Sequence, residues 1–262
     1  MKISTTMAAV LLVASPLSAQ FTNGGFETGT AAGWTTGGGV RTGLTNAALN
    51  PADFLPGGAR YQASARSAVV GQGVMANTDG NLNQVYSGNN SYRIEDLFNG
   101  GYASVISQRV NGYTQNSIFF AWAAVLEGAH DVNTSAAFKL LLRNETTGQI
   151  LINRTYTAAS NGGGVDDRFA LSQTGYYYTK TWQIEQLDVS EFIGNDFSLI
   201  LLAADCQPAG HEGQVYLDGF GAVAPPPVDP GVVPEPSTYA LMATGLAGLF
   251  GIARRRRTVA EV

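Results

Sequence analysis

From Gln20 to about Val223 the chain offers no convincing long amphipathic helix. Its apolar runs are short and are separated by Gly, Asn, Asp and Thr. Runs of that length, punctuated that way, read as strands of a β-sandwich. Ser117–Leu126 (SIFFAWAAVL) is continuously apolar and reads as a central strand. Asn90–Glu95 alternates, with Tyr92 and Ile94 on one face, and Tyr102–Val110 follows the Gly100-Gly101 break. Residues 136–143 and 149–156 form a hairpin turned at Thr147-Gly148. Lys180–Asp188, Phe197–Ala204 and Gln214–Asp218 are the last strands. Phe26 and Trp34 are core candidates from the opening segment. Thr42–Gln84, rich in Ala, Gly and Asn and carrying Pro51 and Pro56, shows little periodicity. It reads as a long loop with weak strand character around Ser67–Val74. Ala158–Tyr176 reads as a second polar, Gly-rich loop.

The two ends have their own composition. Met1-Lys2 is a short basic head, Met7–Ala14 an apolar core too short to span a membrane, and Ser15-Pro16 a break before Leu17-Ser18-Ala19. This is the layout of a secretory signal peptide over 1–19, and no cysteine follows it to make a lipoprotein. Ala224–Val233 is a stiff Pro-rich linker. Pro234-Glu235-Pro236 then precedes an uncharged run, Ser237–Ala253, and Arg254, Arg255, Arg256 and Arg257. As a helix that run covers roughly 25 Å, the short end of what spans a bilayer. The four arginines hold its end on the cytoplasmic side. A motif, a short helix and a basic end in this order resemble the PEP-CTERM sorting signal of Gram-negative bacteria. The resemblance implies delivery by the Sec machinery, transient anchoring in the inner membrane, and handling by an exosortase near Pro234–Pro236. Its destination would be the cell surface or extracellular matrix.

The remaining residues are acidic. Five of the 15 Lys and Arg and two of the 20 Asp and Glu lie in the two ends, which leaves a charge near −8. That balance argues against nucleic acid or an anionic lipid surface and suits divalent cations or neutral glycans. Cys206 is the only cysteine, so no internal disulfide holds the fold. It reads as a small buried apolar residue.

Asn23-Gly-Gly-Phe-Glu27 with Trp34, Gly101–Gln108, Ala124–Glu127 and the closing Val215-Tyr-Leu-Asp218 resemble the galactose-binding-like jelly rolls, which include many carbohydrate-binding modules. The resemblance covers most of 21–223 and leaves Thr42–Val85 unmatched. It implies an all-β jelly-roll sandwich over 20–223 that contacts extracellular polysaccharide. In such folds a structural ion sits where the first and last strands meet, and Glu27 and Asp218 occupy the matching positions. They are either ligands of a structural Ca2+, with carbonyls of the 23–25 turn, or hydrogen-bonded strand-end carboxylates.

Two other groups of residues bear chemistry. Tyr176, Tyr177 and Tyr178 offer aromatic faces for sugar stacking, and alternation leaves at least one ring outward. His130 and His211, the only histidines, follow strands and could meet with Asp205 or Glu127 around a transition metal. Their spacing matches no compact signature, so they read as loop histidines with backbone or carboxylate neighbours. No nucleophile elbow, His-Glu-x-x-His or phosphate-binding loop occurs, so the reading is non-enzymatic. A glycan-active hydrolase with carboxylates paired only in space and a purely structural surface domain are the alternatives.

Overall fold

The computed structural model describes residues 20–63, 66–95 and 97–223. The expected signal peptide (1–19), linker (224–233) and sorting tail (234–257) lie outside the described residues. Twelve strands and two single-turn helices are present among the described residues. The strands are β1 (Thr35–Val40), β2 (Ala68–Gly71), β3 (Asn90–Ile94), β4 (Tyr102–Val110), β5 (Ser117–Glu127) and β6 (Ala137–Asn144), followed by β7 (Ile150–Thr157), β8 (Phe169–Leu171), β9 (Tyr176–Thr179), β10 (Gln183–Asp188), β11 (Phe197–Ala204) and β12 (Gly213–Gly221).

The first sheet has the order β1-β4-β11-β6-β7 and the second β2-β3-β12-β5-β9-β8, with β10 also on β5. Every pairing is antiparallel. Within this, β4-β11-β6-β7 faces β3-β12-β5-β10, and the chain crosses repeatedly from one sheet to the other. That winding is a jelly roll, as the resemblance implied. One strand edge serves two neighbours because β5 is long: β10 pairs with Ser117–Trp122 and β9 with Val125–Glu127.

The inward faces make the main core. Ile118, Phe120, Trp122, Ala124 and Leu126 of β5 meet Phe138, Leu140 and Leu142 of β6 and Leu199 and Leu201 of β11. Trp122 is fully buried, and its indole Nε1 donates to Glu185 Oε1 at 3.1 Å. Arg154 holds the other oxygen of that carboxylate, so the polar group enters the core satisfied. Phe26 and Trp34 stack at 5.4 Å and are both buried, as expected.

The segment without periodicity is the main departure from the reading of the sequence. It is two covers, one per sheet. Leu49 and Phe54, in and beside the helical turn Pro51–Phe54, lie on Ala103, Val105, Ala137, Leu202 and Ala204 on the outside of the first sheet. Met75 and Leu82 lie on Ala123, Val125, Tyr178 and Tyr216 on the outside of the second. Arg41, fully buried, pins the first cover by donating to the carbonyls of Leu44 and Ser135 and to Asn46 Oδ1. Periodicity is missing because these residues bury single anchors over a sheet rather than one face of their own element.

Strand β1 was not expected from TTGGGV, and its glycines explain why it exists. Gly37 and Gly39 point outward beneath the first cover, where a Cβ would stand 2.1 Å from the Phe54 carbonyl oxygen and 2.0 Å from that of Arg60. The cover lies directly on the strand backbone. Strands β8 and β9, within or bordering a segment read as loop, were missed because they are three and four residues long. Gly37→Ala is expected to destabilise the fold by on the order of 1–3 kcal/mol through forced displacement of this cover. Gly71→Ala, with nothing nearer than 3.8 Å, serves as the control. Thermal unfolding midpoints of the two variants check this.

Candidate functional site

The last strand carries the central residue of the site. On β12, Val215 and Leu217 point into the sandwich, so Tyr216 and Asp218 point out. Pairing with β5 breaks between Asp218 and Gly221, and the opening segment closes against this irregularity. Phe220 N–H donates to the Gly24 carbonyl at 3.2 Å, and Phe21 packs on the Phe220 ring at 3.9 Å. Glu27 is thereby brought to the same place as Asp218. The two residues separated by most of the chain line one cleft of about 260 Å3, with Gly25, Ser87, Gly88 and Phe220.

A loop not singled out in the sequence holds both carboxylates. Asp218 Oδ2 accepts the N–H groups of Tyr86 and Ser87, each at 2.9 Å, and Oδ1 accepts that of Gly219 at 2.6 Å. Glu27 Oε1 accepts the N–H groups of Asn89 and Asn90 at 2.9 and 3.0 Å, and Oε2 the Asn89 side-chain amide at 3.3 Å. Gly88 sits between them at φ +73°, where a Cβ would stand 2.4 Å from Glu27 Oε1. The only signal in the sequence was the turn composition of Ser87-Gly-Asn-Asn90.

The electrostatics are unbalanced. Glu27 is exposed and Asp218 fully buried. Burial pushes the Asp218 carboxyl up, the three N–H groups pull it down, and the Glu27 charge adds a smaller upward push; the result is about 7. None of the ion pairs among the described residues includes either acid. Each carboxylate accepts three N–H groups and keeps about one of its roughly four lone pairs. The cleft brings two carboxylates together, the hard oxygen donors that calcium takes, while the Asn23 and Gly24 carbonyls already accept N–H groups from Phe26, Trp34 and Phe220. Of the two readings of the sequence, the hydrogen-bonded one is what the geometry displays, and the two acids share a cleft.

Alternation does turn rings of the tyrosine triplet outward, but a cover lies over them. Tyr176 and Tyr178 on β9 face outward from the second sheet, but Tyr178 is buried under the second cover and accepts from Asn81 Nδ2 at 3.1 Å. Tyr176 is half-buried beside it; burial first, then the charges of Glu212 and Glu127, push its phenol up. Tyr177 packs against the inter-sheet core. The missing element was the cover, which no periodicity announced.

The two histidines do meet, with ring centroids 4.7 Å apart, but without the carboxylates considered for them. Glu127 Oε2 accepts the Glu212 N–H at 3.1 Å. Asp205 is buried, accepts the Tyr102 N–H at 3.2 Å and pairs with Arg66.

Residues 232–257 match the family model described as the PEP-CTERM protein-sorting motif. The chain carries a PEP-CTERM sorting motif. Such a motif indicates an exported protein that is membrane-anchored before processing. No curated protein matches the sequence. Among solved structures, the sandwich is similar to a family 61 carbohydrate-binding module in complex with β-1,4-galactotriose, at 14% identity and TM-score 0.41, covering 78% of this chain and 97% of that one. It is similar to the K1 cleaved adhesin domain of Lys-gingipain from Porphyromonas gingivalis W83, at 14% identity and TM-score 0.36, covering 77% and 96%. It is also similar to a CBM28 module specific for non-crystalline cellulose, at 12% identity and TM-score 0.34, covering 76% and 92%. The strand order, rather than these likenesses, establishes the jelly roll.

For the metal-free protein the sign of the pH dependence follows from Asp218. Its carboxyl in the fold lies above the unfolded value, so its stabilising contribution is complete below about pH 4 and is lost as pH rises towards about 7. Asp131, Asp166, Asp188 and Asp196 shift downward and act only below that window. Unfolding midpoints in chelator are expected to fall between pH 4 and 7, and Asp218→Asn is expected to flatten that slope.

Proposed function

We propose that this PEP-CTERM protein is an exosortase-processed surface or extracellular-matrix protein whose jelly roll contacts extracellular polysaccharide without catalysis. Its compartment, in this reading, is the exterior of a Gram-negative cell. The observation that carries the non-catalytic reading is the restraint on the two cleft carboxylates. Six N–H groups hold them as a clamp between the opening segment, the 86–90 loop and β12. A Ca2+ held by Glu27 and Asp218 would neutralise the acid pair and lock the opening segment to the last strand in a fold without disulfides.

Polysaccharide contact is supported by the jelly roll and by the residues resembling carbohydrate-binding modules. Aromatic surface is available near the clamp. Tyr86, whose N–H binds Asp218, has its half-buried ring 5.9 Å from that of Trp182, and Ile184 is exposed alongside on β10. These rings take the place of the tyrosine triplet as candidate stacking faces.

A hydrolase is the second reading, because one observation favours it: a carboxyl titrating near 7 shares a cleft with a second acid. The two readings separate in experiment. Calorimetric titration after chelation is expected to show saturable Ca2+ binding to the full chain and a raised unfolding midpoint, both lost in Asp218→Asn. Absence of both removes the calcium site. On a polysaccharide array the chain is expected to bind without releasing reducing ends, and Trp182→Ala to weaken binding by at least about tenfold, the scale of one lost stacking contact. Release of reducing ends would establish the hydrolase, and silence across the array the purely structural reading.

A further inference from the structure

At the other end of β12 from Asp218, the β5–β6 and β11–β12 loops converge. His130 comes from the first, Cys206 and His211 from the second. One ligand atom from each lies within 4.8 Å of the others. Cys206 Sγ is 3.4 Å from His211 Nδ1, and the two imidazoles stand edge to face. We propose that His130, Cys206 and His211 form a transition-metal site for an ion of the zinc class, with the fourth position open to solvent.

The donors decide the class of ion. One thiolate and two imidazoles suit a borderline-soft transition metal and are poor ligands for calcium. The spacing also suits it. A tetrahedral ion at ~2.3 Å from sulfur and ~2.0–2.1 Å from nitrogen sets neighbouring ligand atoms roughly 3.4–3.6 Å apart. Cys206 and His211 are already at that separation, and His130 needs a closure of about 1 Å from an exposed loop position.

The backbone is built around the sulfur. Sγ accepts the N–H groups of Gly210 at 3.1 Å and His211 at 3.2 Å, as a thiolate ligand does. The loop bearing both ligands is closed by Cys206 N–H to the His211 carbonyl at 2.8 Å. It turns through Ala209 at φ +69°, and His130 itself sits at φ +62°. Two non-glycine residues in the left-handed region, one of them a ligand, are strain of the kind concentrated at functional sites. Ser160 fixes the β5–β6 loop by donating its N–H and Oγ to the His130 carbonyl, each at 3.1 Å. A Cys–His nucleophile is the competing use of these groups. It is disfavoured because Cys206 is fully buried, whereas the second imidazole faces the same point.

The test uses Co2+ as the probe on the full chain in reducing, chelator-cleared buffer. One equivalent is expected to produce a thiolate-to-cobalt charge-transfer band, bleached by equimolar Zn2+ and untouched by excess Ca2+. Cys206→Ser is expected to lose the band, and His130→Gln to weaken binding at least about tenfold. His130 is exposed, so that variant reads the site even if Cys206→Ser unfolds; circular dichroism reports folding of both. The proposal is overturned by the absence of a band in the folded native chain, by Zn2+ affinity unchanged in folded His130→Gln, or by rapid alkylation of Cys206 that Zn2+ does not slow.

Discussion

The structure depends on a strand that is apolar on both faces. Nine of the eleven residues of β5, from Ile118 to Leu126, are buried. The inward set fills the sandwich, and the outward set, Phe119, Ala121, Ala123 and Val125, needs a second layer. A two-sheet sandwich supplies only one covered face per sheet. Within the 42–86 region Met75 and Leu82 supply the other for β5, which is why a stretch without periodicity carries buried anchors. The apolar burial in β5 thus accounts for the second cover, while the first, with Leu49 and Phe54, answers the outward apolar residues of β4, β6 and β11.

The same requirement positions the chemistry. β12 pairs with β5 through the centre of the second sheet, so both ends of β12 are held against the most buried strand. One end presents Asp218 to the opening segment, and the other begins two residues after His211. The seven residues from His211 to Asp218 separate the two places by roughly 20 Å along an extended strand. One is a cleft with two carboxylates and the other a sulfur-and-imidazole cluster, so their donor chemistries differ. In a fold with no disulfide, each also joins segments remote in sequence.

Partly compensated burial of Asp218 defines the acid clamp. Asp218 is placed where its ionised form is disfavoured and Glu27 adds like charge, while six N–H groups supply part of the missing solvation. The arrangement holds the 86–90 loop against the final strand and leaves a negative cleft. A cation entering it would exchange hydration for carboxylate oxygens already fixed in place.

The sequence by itself determined the class, the long strands and the export of the protein. Continuous apolar runs and Gly/Asn punctuation are local signals, and the Pro-Glu-Pro, apolar and arginine order of the tail is a linear one. Glu27 and Asp218 were legible as a pair only through a resemblance, because nothing local connects residues so far apart. Only the tertiary structure decided that TTGGGV is a strand, since its glycines are needed for the cover above them. It also buried Tyr178 beneath Met75 and Leu82, and placed Cys206 beside the two histidines. In each case the deciding contact is made by a residue on another element, and pairing register and loop closure, not residue type, set that distance.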